Sequence, residues 1–242
     1  MPAPNSGSAT QIALGPETKL YHGAEAILTI ASCASEPMEI VKKERIKKNY
    51  RLDSIDKSIR RRRTKKESKA LQYLQSIGVN VPKLVHVDFE TYTIYMEYLK
   101  QCQTVKNFIL ERSKASSNLT DSSLKSLYDT IGSVVAELHT HGFIHGDLTG
   151  SNLLLDVEYF NQTGKFKIFL VDFGLSSRKV TTEECAVDLY ILERSLAFFD
   201  TNSVDLFEEN LMKSYCEKYG NETVKGRLSD VRQRGRKKSM IG

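Results

Sequence analysis

The sequence predicts an α+β protein of two lobes, a small sheet-rich lobe followed by a mainly helical one. Short runs of β-branched and aromatic residues, interrupted by one long helical pattern, occupy residues 19–98. From residue 99 onward, apolar residues recur at helical spacing instead. A chain of 242 residues has room for two lobes that share a cleft. We expect a disordered leader at 1–18, an N-lobe at 19–98, a C-lobe at 99–224 and a basic tail at 225–242.

The N-lobe pattern consists of strands grouped around one helix. Strands are predicted at 21–26, 27–30, 39–41, 81–87 and 92–98. A helix is predicted over 53–77, because Ile59, Leu71 and Leu74 belong to an apolar stripe at helical spacing. Gly78 then fits the C-terminal end of that helix.

The C-lobe pattern is helical on both sides of a pair of strands. Helices are predicted over 105–112 and 119–139, and strands over 152–155 and 166–171. The polar stretch at 161–164 predicts a hairpin turn between these strands. Helices resume near residue 183, and we expect the last of them to dissolve into the basic tail.

Charge is distributed unevenly along the chain. Residues 42–69 hold 14 Lys and Arg against four acids, and residues 225–242 hold seven against one. The rest of the chain has a net charge of −11. A solvated surface explains many such runs. Two basic clusters on an otherwise acidic chain also favour an anionic partner, such as nucleic acid or an acidic protein face.

Composition excludes several classes of protein. No run of about 18 apolar residues occurs, so we expect no membrane span. The first 18 residues have no basic region followed by an apolar block, which argues against a secretory signal. The four cysteines are widely spaced, which argues against a disulfide scaffold or a zinc site and favours reduced thiols. We therefore expect a cytoplasmic and nuclear protein.

An octapeptide and a tripeptide of the C-lobe carry the clearest chemical signal. They are HGDLTGSN at 145–152 and DFG at 172–174. Asp147 is placed to orient a hydroxyl or a water, while Asn152 and Asp172 are placed to hold magnesium on ATP phosphates. Loops at strand ends can aim these groups into one cleft. The two motifs together predict a kinase-type phosphotransferase that uses ATP and Mg²⁺.

Two unrelated turns are the alternative explanation, because Asp, Asn and Gly favour turns in any protein. The motifs nevertheless occur in the order that phosphoryl transfer requires, with a short strand pair between them. This combination favours the functional interpretation.

A candidate ion pair for ATP binding lies in the N-lobe. Lys43 follows a predicted strand and Glu67 lies in the next helix. This is the arrangement in which kinases hold a lysine against the ATP phosphates. The region is crowded with lysines, so a solvated Lys43 is the alternative.

A loop and a hinge complete the predicted nucleotide contacts. The loop that would cover the phosphates comprises Gly23, Ala24, Glu25 and Ala26. It has one glycine, so a tight turn is the alternative. The hinge contacts are assigned to Glu97 and Leu99, where the N-lobe meets the C-lobe. His145 is expected to be a packed, hydrogen-bonded histidine rather than a general base.

Seven segments share a wider resemblance. They are GAEA at 23–26, KER through YR at 43–51, RRRT through Glu at 61–67, HGDLTGSN, VDFGLSS at 171–177, VDLYILER at 187–194 and RQRGRKKSMIG at 232–242. As a set they resemble the small atypical protein kinases of the KEOPS/EKC complex, the p53-related protein kinase family. The resemblance covers the chain from about Tyr21 to Gly242.

The resemblance implies a bilobal protein-kinase-like fold and a serine/threonine kinase or ATPase activity. It implies these roles: Lys43 as the ATP lysine, Glu67 as its partner, Asp147 as the catalytic aspartate, and Asn152 and Asp172 as magnesium ligands. Asp188 resembles the buried acid that braces the catalytic loop in protein kinases.

The chain also departs from ordinary protein kinases. Gly146 replaces the arginine that responds to activation-loop phosphate, and Thr149 stands where many kinases have a phosphate-contacting lysine. Only fifteen residues separate Asp172 from Asp188, and Ala-Pro-Glu is absent. We therefore expect weak or restricted transfer to protein substrates, which is compatible with ATP hydrolysis that serves a larger assembly.

The resemblance also implies partners. The family binds the tRNA threonylcarbamoyl-transferase subunit and other KEOPS/EKC subunits, and supports threonylcarbamoyladenosine formation in tRNA. The tail residues that would reach the partner and tRNA are Arg232, Arg234, Arg236, Lys237 and Lys238. A solvated terminus or a nuclear-import-like run is the alternative. Ser239 follows arginines in a pattern that basophilic kinases accept.

Two other functions are compatible with the motifs. An aminoglycoside-kinase type phosphotransferase shares the His-Gly-Asp and Asn arrangement, but it needs helical insertions for a substrate pocket that are not evident here. A non-catalytic scaffold that uses ATP only to hold its shape would not need all three acidic and amide side chains.

Overall fold

The computed structural model describes residues 14–23, 25–33, 39–114, 121–198 and 203–240. The chain divides into two compact units. The first contains the chain up to Thr64 together with Lys83–Tyr98, and the second contains Lys65–Pro82 together with the chain from Leu99 onward. An antiparallel sheet dominates the first unit and helices dominate the second, as the α+β prediction requires.

The first unit is built on a five-stranded antiparallel sheet. Its strands are β1 (Leu14–His22), β2 (Ala26–Cys33), β3 (Glu39–Arg45), β4 (Leu84–Asp88) and β5 (Thr93–Glu97). The order is β1-β2-β3-β5-β4, which puts β3 in the centre. Ile40 of β3 is fully buried and packs with Ala31, Val85 and Tyr95. A central strand holds its side chains rigidly, because it is paired on both edges.

Helix α1 (Asp53–Ser76) contributes to both units. Asp53 and Asp56 lie in its first turn, where negative charge complements the helix dipole. It ends where the sequence predicts, because Gly78 adopts a positive φ of 83° and Val79 donates to the Leu74 carbonyl at 3.0 Å.

The second unit is mainly helical. Its helices are α2 (Val105–Lys114), α3 (Asp121–Thr140), α4 (Val157–Thr163), α5 (Thr182–Ala197), α6 (Ser203–Leu206), α7 (Met212–Tyr219) and α8 (Thr223–Met240). A 3₁₀ turn at Phe173–Leu175 and a π-helical turn at Phe207–Leu211 complete it. The apolar stripe of α3 is fully buried and consists of Leu127, Ile131, Val135 and Leu138. Side chains at this spacing share one helix face.

A three-stranded antiparallel sheet in the order β6-β7-β8 supports the loop between α3 and β7. Its strands are β6 (Cys102–Thr104), β7 (Leu153–Asp156) and β8 (Ile168–Leu170). The prediction of a hairpin turn at 161–164 is wrong, because a short helix, α4, connects β7 to β8. Asp156 caps α4 by accepting from the Tyr159 nitrogen, and Gly164 ends it at a φ of 69°.

Other boundaries also differ from the prediction. Strand β1 begins at Leu14, inside the expected leader, while residues 1–13 lie outside the described part. Strand β4 begins at Leu84 rather than residue 81, since Pro82 has no N–H for a sheet ladder. Helix α8 continues to Met240, so the tail expected from residue 225 is helical instead of a dissolved end.

Two of the composition-based expectations can be compared with the structure. No helix in the described ranges is long and apolar enough to cross a membrane. Within the described residues, Cys102, Cys185 and Cys216 are not in disulfide bonds.

Candidate active site in the helical unit

The loop between α3 and β7 brings Asp147 and Asn152 together. The Asn152 amide nitrogen Nδ2 donates to the Asp147 carbonyl at 2.8 Å and lies 3.3 Å from the Asp147 carboxylate. The Asn152 backbone nitrogen also donates to the Thr149 carbonyl at 2.9 Å. These bonds fold the loop back on itself. They use the amide nitrogen of Asn152 and leave its Oδ1 oxygen as the atom suited to a metal.

Asp172 follows β8 and adjoins the same loop. Val171 donates its backbone N–H to the Asn152 carbonyl at 3.1 Å, so the residue before Asp172 is fixed to Asn152. Asp172 has φ 64° and ψ 66°, the left-handed region that aspartate tolerates better than most residues. A non-glycine residue in this conformation is an uncommon feature that clusters at functional sites.

Asp188 on α5 holds the start of the loop. Its carboxylate is fully buried and accepts N–H bonds from His145 at 2.6 Å and from Gly146 at 2.9 Å. Gly146 has a φ of 79°, and a Cβ there would lie 2.7 Å from the Leu175 carbonyl oxygen. The arginine that ordinary kinases have at this position would therefore be strained here.

His145 is packed rather than catalytic. Its Nε2 lies 3.0 Å from the Val171 carbonyl, and its ring lies 4.9 Å from the ring of Phe173. Burial lowers the pKa of His145, although Asp188 opposes the shift. A neutral imidazole with Nε2–H as donor suits this contact.

His139, at the end of α3, is a functional neighbour that the sequence analysis missed. Its Nδ1 lies 2.9 Å from the Tyr215 hydroxyl, and its Nε2 lies 3.4 Å from the Asp188 carboxylate. Burial opposes protonation, but Asp188 and the thiol of Cys185 raise the pKa of His139 to about 9. The available sequence signal was its place in the last turn of a helix, where the dipole favours a cation.

The segment after Asp172 is short and anchored. Ile144 and Ser177 form a reciprocal backbone bridge, with both hydrogen bonds at 2.9 Å. Lys66 donates its ammonium group to the Ser176 carbonyl at 3.1 Å. Arg178 lies over the ring of Tyr73 at 4.3 Å. Because α5 starts at Thr182, little chain remains for a peptide-docking platform.

The two residues of the predicted N-lobe ion pair, Lys43 and Glu67, belong to different units. Lys43 is buried on β3, opposite Leu28 and Ile94 in the neighbouring strands. Glu67 is also buried, in the part of α1 that belongs to the helical unit. A pair between Lys43 and Glu67 stays a prediction.

Part of the predicted glycine loop lies within the described residues. Gly23 donates its backbone N–H to the Ala26 carbonyl at 3.0 Å, and Ala24 lies outside the described residues. The Glu25 carboxylate accepts a 2.7 Å bond from Arg63. Contacts of this loop with phosphate stay a prediction.

The two hinge candidates already have local partners. Glu97 accepts the Lys83 backbone N–H at 3.1 Å through its carboxylate, and the Leu99 carbonyl accepts the Cys102 N–H at 3.0 Å. Contacts of Glu97 and Leu99 with adenine stay a prediction.

Part of the predicted basic tail forms ion pairs within the helical unit. Arg232 binds Glu193 at 2.8 Å and also binds Glu208, while Arg234 binds Glu183. Burial opposes the charge, yet Glu193 and Glu208 raise the pKa of Arg232. The side chains of Arg236, Lys237 and Lys238 lie outside the described part.

The donor set fits Mg²⁺ better than a transition metal. Asn152 and Asp172 supply an amide oxygen and a carboxylate, which are hard ligands. The described residues contain no group of three or more His, Cys, Asp or Glu side chains that could hold a metal alone. Mg²⁺ commonly takes one or two protein ligands together with substrate phosphates, so the pair is sufficient.

Comparison with known proteins identifies the family. The chain is 33% identical to the EKC/KEOPS complex subunit BUD32 of Debaryomyces hansenii, over 94% of both chains. It is 35% identical to the Yarrowia lipolytica subunit, over 93% of this chain and 94% of the other. The chain belongs to the Bud32 family. A mouse member, EKC/KEOPS complex subunit Tp53rkb, is 34% identical over 84% of this chain and 80% of its own.

The chain also belongs to a wider kinase family and has a kinase fold. The lipopolysaccharide kinase (Kdo/WaaP) family model matches residues 39–215. WaaP in complex with acyl carrier protein superposes with a TM-score of 0.63 at 14% identity, covering 92% of this chain and 88% of WaaP. The Rio2 kinase–ADP/Mg²⁺–phosphoaspartate complex from Chaetomium thermophilum gives 0.57 at 17% identity, covering 93% and 72%. The predicted protein-kinase-like fold and family are confirmed, and the aminoglycoside-kinase alternative is not favoured.

Proposed function

We propose that this Bud32-family chain binds Mg-ATP and transfers or hydrolyses its γ-phosphoryl group in the service of tRNA threonylcarbamoyladenosine formation. The observation that carries the proposal is the bonded set of Asp147, Asn152 and the residue before Asp172. Phosphoryl transfer demands positioned oxygen ligands more than covalent chemistry from the protein. A preorganised loop of this kind meets that demand.

Asp147 orients the attacking hydroxyl or water in this proposal. Its carboxylate accepts the proton-bearing O–H of the nucleophile, and Asn152 holds the backbone behind it through the 2.8 Å bond to the Asp147 carbonyl. Asp188 fixes the backbone of His145 and Gly146, so the backbone that carries the Asp147 carboxylate is held in place. Orientation of this type contributes to rate by keeping the reacting atoms in a near-attack geometry.

Asn152 Oδ1 and the Asp172 carboxylate would hold Mg²⁺. When bound, the ion neutralises charge that develops on the phosphate oxygens. Lys43 would bind the phosphates from the sheet unit with Glu67 as its partner. The loop at Gly23, Ala24, Glu25 and Ala26, with Glu97 and Leu99, would contact the nucleotide.

The activity has two forms that this site can support. Transfer to serine or threonine requires a protein substrate to dock, and hydrolysis requires only a water. The short anchored segment between Asp172 and α5 favours hydrolysis as the main activity. Serine/threonine kinase activity on a restricted substrate stays part of the proposal.

The partners follow from the family. Relatives of this chain are named as subunits of the EKC/KEOPS complex. We infer that this chain binds the threonylcarbamoyl-transferase subunit and other subunits of such a complex, and meets tRNA through it. A cytoplasmic and nuclear location belongs to the same proposal.

The decisive experiment compares Asp147→Asn and Asp172→Asn with the unchanged chain. ADP release is measured by coupled assay with and without the transferase partner and tRNA, and folding is checked by thermal unfolding. We expect each variant to keep its fold and to lose at least about 100-fold in turnover, since each removes a charged group from the transition state. Undiminished turnover in both variants would refute the mechanism and favour the scaffold alternative.

A further inference from the structure

The backbone of Gly150, between Asp147 and Asn152, is held from both sides. Its N–H donates to the Ser195 hydroxyl oxygen at 3.0 Å, and its carbonyl accepts the Lys106 backbone N–H at 3.0 Å. Gly150 is buried. A buried backbone group requires a partner, so the Ser195 hydroxyl satisfies an N–H that water would otherwise have to reach.

Ser195 lies on the same helix as Asp188, seven residues further along α5. Seven residues make about two helical turns, so both side chains leave the same face about 10 Å apart along the axis. Asp188 binds the N–H groups of His145 and Gly146, before Asp147. Ser195 binds Gly150, before Asn152. One helix face therefore fixes the loop at two points that bracket Asp147.

We propose that Ser195 is a positioning residue for metal binding. By holding Gly150, it sets where Asn152 Oδ1 lies relative to the Asp147 carboxylate. This inference rests on the proposed function only in naming Mg²⁺ as the group held. The loop restraint itself can be tested without any catalytic activity.

The route from Ser195 to Asn152 is short. Asn152 bonds back to Thr149 through its main chain and to Asp147 through its side chain. Displacement of Gly150 moves the loop segment on which these bonds depend. A displacement of about 1 Å in a positioning element can reduce catalysis by as much as about 100-fold.

The test uses Ser195→Ala, Ser195→Thr and a matched control, Ser214→Ala. Ser214 also lies in the helical unit, and its hydroxyl donates to the Asp129 carbonyl at 2.7 Å and to the Leu211 carbonyl at 3.2 Å rather than to the loop. We expect Ser195→Ala to raise the half-saturating Mg²⁺ concentration for ATP turnover roughly 3- to 10-fold, the equivalent of one net hydrogen bond. Ser195→Thr keeps the hydroxyl and should restore the original value, and Ser214→Ala should not change it.

The second readout is amide hydrogen exchange of the peptide that contains residues 145–152, measured without nucleotide. Ser195→Ala should speed exchange there by roughly the same 3- to 10-fold factor, and Ser214→Ala should not. Unchanged exchange and unchanged Mg²⁺ dependence in Ser195→Ala would overturn the positioning role. If the unchanged chain shows no ATP turnover, the proposed function fails. The exchange measurement then tests the restraint by itself. Faster exchange in Ser195→Ala would support the restraint, and unchanged exchange would refute it.

Discussion

The carboxylate of Asp188 accepts a 2.6 Å hydrogen bond from the backbone nitrogen of His145, two residues before Asp147. The other oxygen accepts the Gly146 N–H at 2.9 Å. Asp188→Asn keeps the shape, but its amide nitrogen cannot accept a hydrogen bond, so one of the two N–H groups loses its acceptor and the other bond loses its charge. We expect ATP turnover to fall by about 10- to 100-fold, the equivalent of one or two charge-assisted hydrogen bonds.

The control for this substitution is Asp205→Asn, which removes one negative charge from an exposed position on α6. Turnover and thermal stability should both stay at the level of the unchanged chain. Equal turnover in the two variants would show that the Asp188 bonds do not set the geometry of Asp147.

The second prediction concerns the positive φ of Gly146. Gly146→Ala adds a Cβ that would lie 2.7 Å from the Leu175 carbonyl, so the loop has to move. Gly164 has a similar φ of 69° and nothing within 4 Å of a Cβ. Gly164→Ala should therefore cost only the left-handed penalty, about 1 kcal/mol of unfolding free energy. Gly146→Ala should cost more than that and should also reduce turnover.

The measurements are urea unfolding and ADP release on both glycine variants. Loss of turnover in Gly146→Ala alone is the expected pattern. If Gly146→Ala were as stable and as active as Gly164→Ala, the close approach of Leu175 would not constrain the loop.

The third prediction is a pH dependence of stability that originates at His139. Its pKa is about 9 in the folded state and 6.5 in the reference state. The folded protein therefore keeps a proton that the unfolded chain releases. The contribution of this proton to the free energy of unfolding is complete below pH 6.5 and is lost as pH rises through 9. It amounts to about 3 kcal/mol when complete.

His139→Gln should remove this pH dependence. The difference in unfolding free energy from the unchanged chain should be largest near pH 6 and small above pH 10. Tyr215→Phe is the control, because it removes the hydroxyl at 2.9 Å but keeps the His139–Asp188 pair. A constant difference between His139→Gln and the unchanged chain across this range would contradict the assignment.

The local pattern predicted the elements that carry the site. Helix α1, the long helix before the loop and the two strands between Asn152 and Asp172 follow from periodicity, because their apolar residues recur at regular spacing. The acid and amide positions of Asp147, Asn152 and Asp172 were identified from order and spacing. The bonds that join Asn152 to Asp147 and to the residue before Asp172 could be found only in the folded structure.

Other features depend on contacts that sequence alone does not contain. Helix α4 replaced a turn because Asp156 and Gly164 cap it and Phe160 stacks on Phe166 at 4.5 Å. His139 and Ser195 were missed because each acts on a segment distant in sequence, on Asp188 and Gly150 respectively. Pairs that are 45 and 49 residues apart leave no periodic signal in the sequence.

The last prediction separates two groups within the basic C-terminus. Arg232 binds Glu193 and Glu208, so it holds α8 in the helical unit. Arg232→Gln should lower the unfolding free energy by about 1–3 kcal/mol and the melting temperature by several degrees. A combined change of Arg236, Lys237 and Lys238 to Gln should leave both quantities unchanged if these residues serve a partner or tRNA.

Function in a reconstituted complex distinguishes the two groups. The triple variant should reduce threonylcarbamoyladenosine formation more than it reduces ATP binding. Its deficit in tRNA affinity should be largest at low salt and shrink as salt rises, because the loss of cationic contacts lowers the number of counterions released on binding. Arg232→Gln should affect both measurements only as far as it lowers the folded fraction. Full tRNA modification by the triple variant at physiological salt would exclude these three residues from contact with the partner and tRNA, and would leave α8 with the structural role that the ion pairs of Arg232 and Arg234 support.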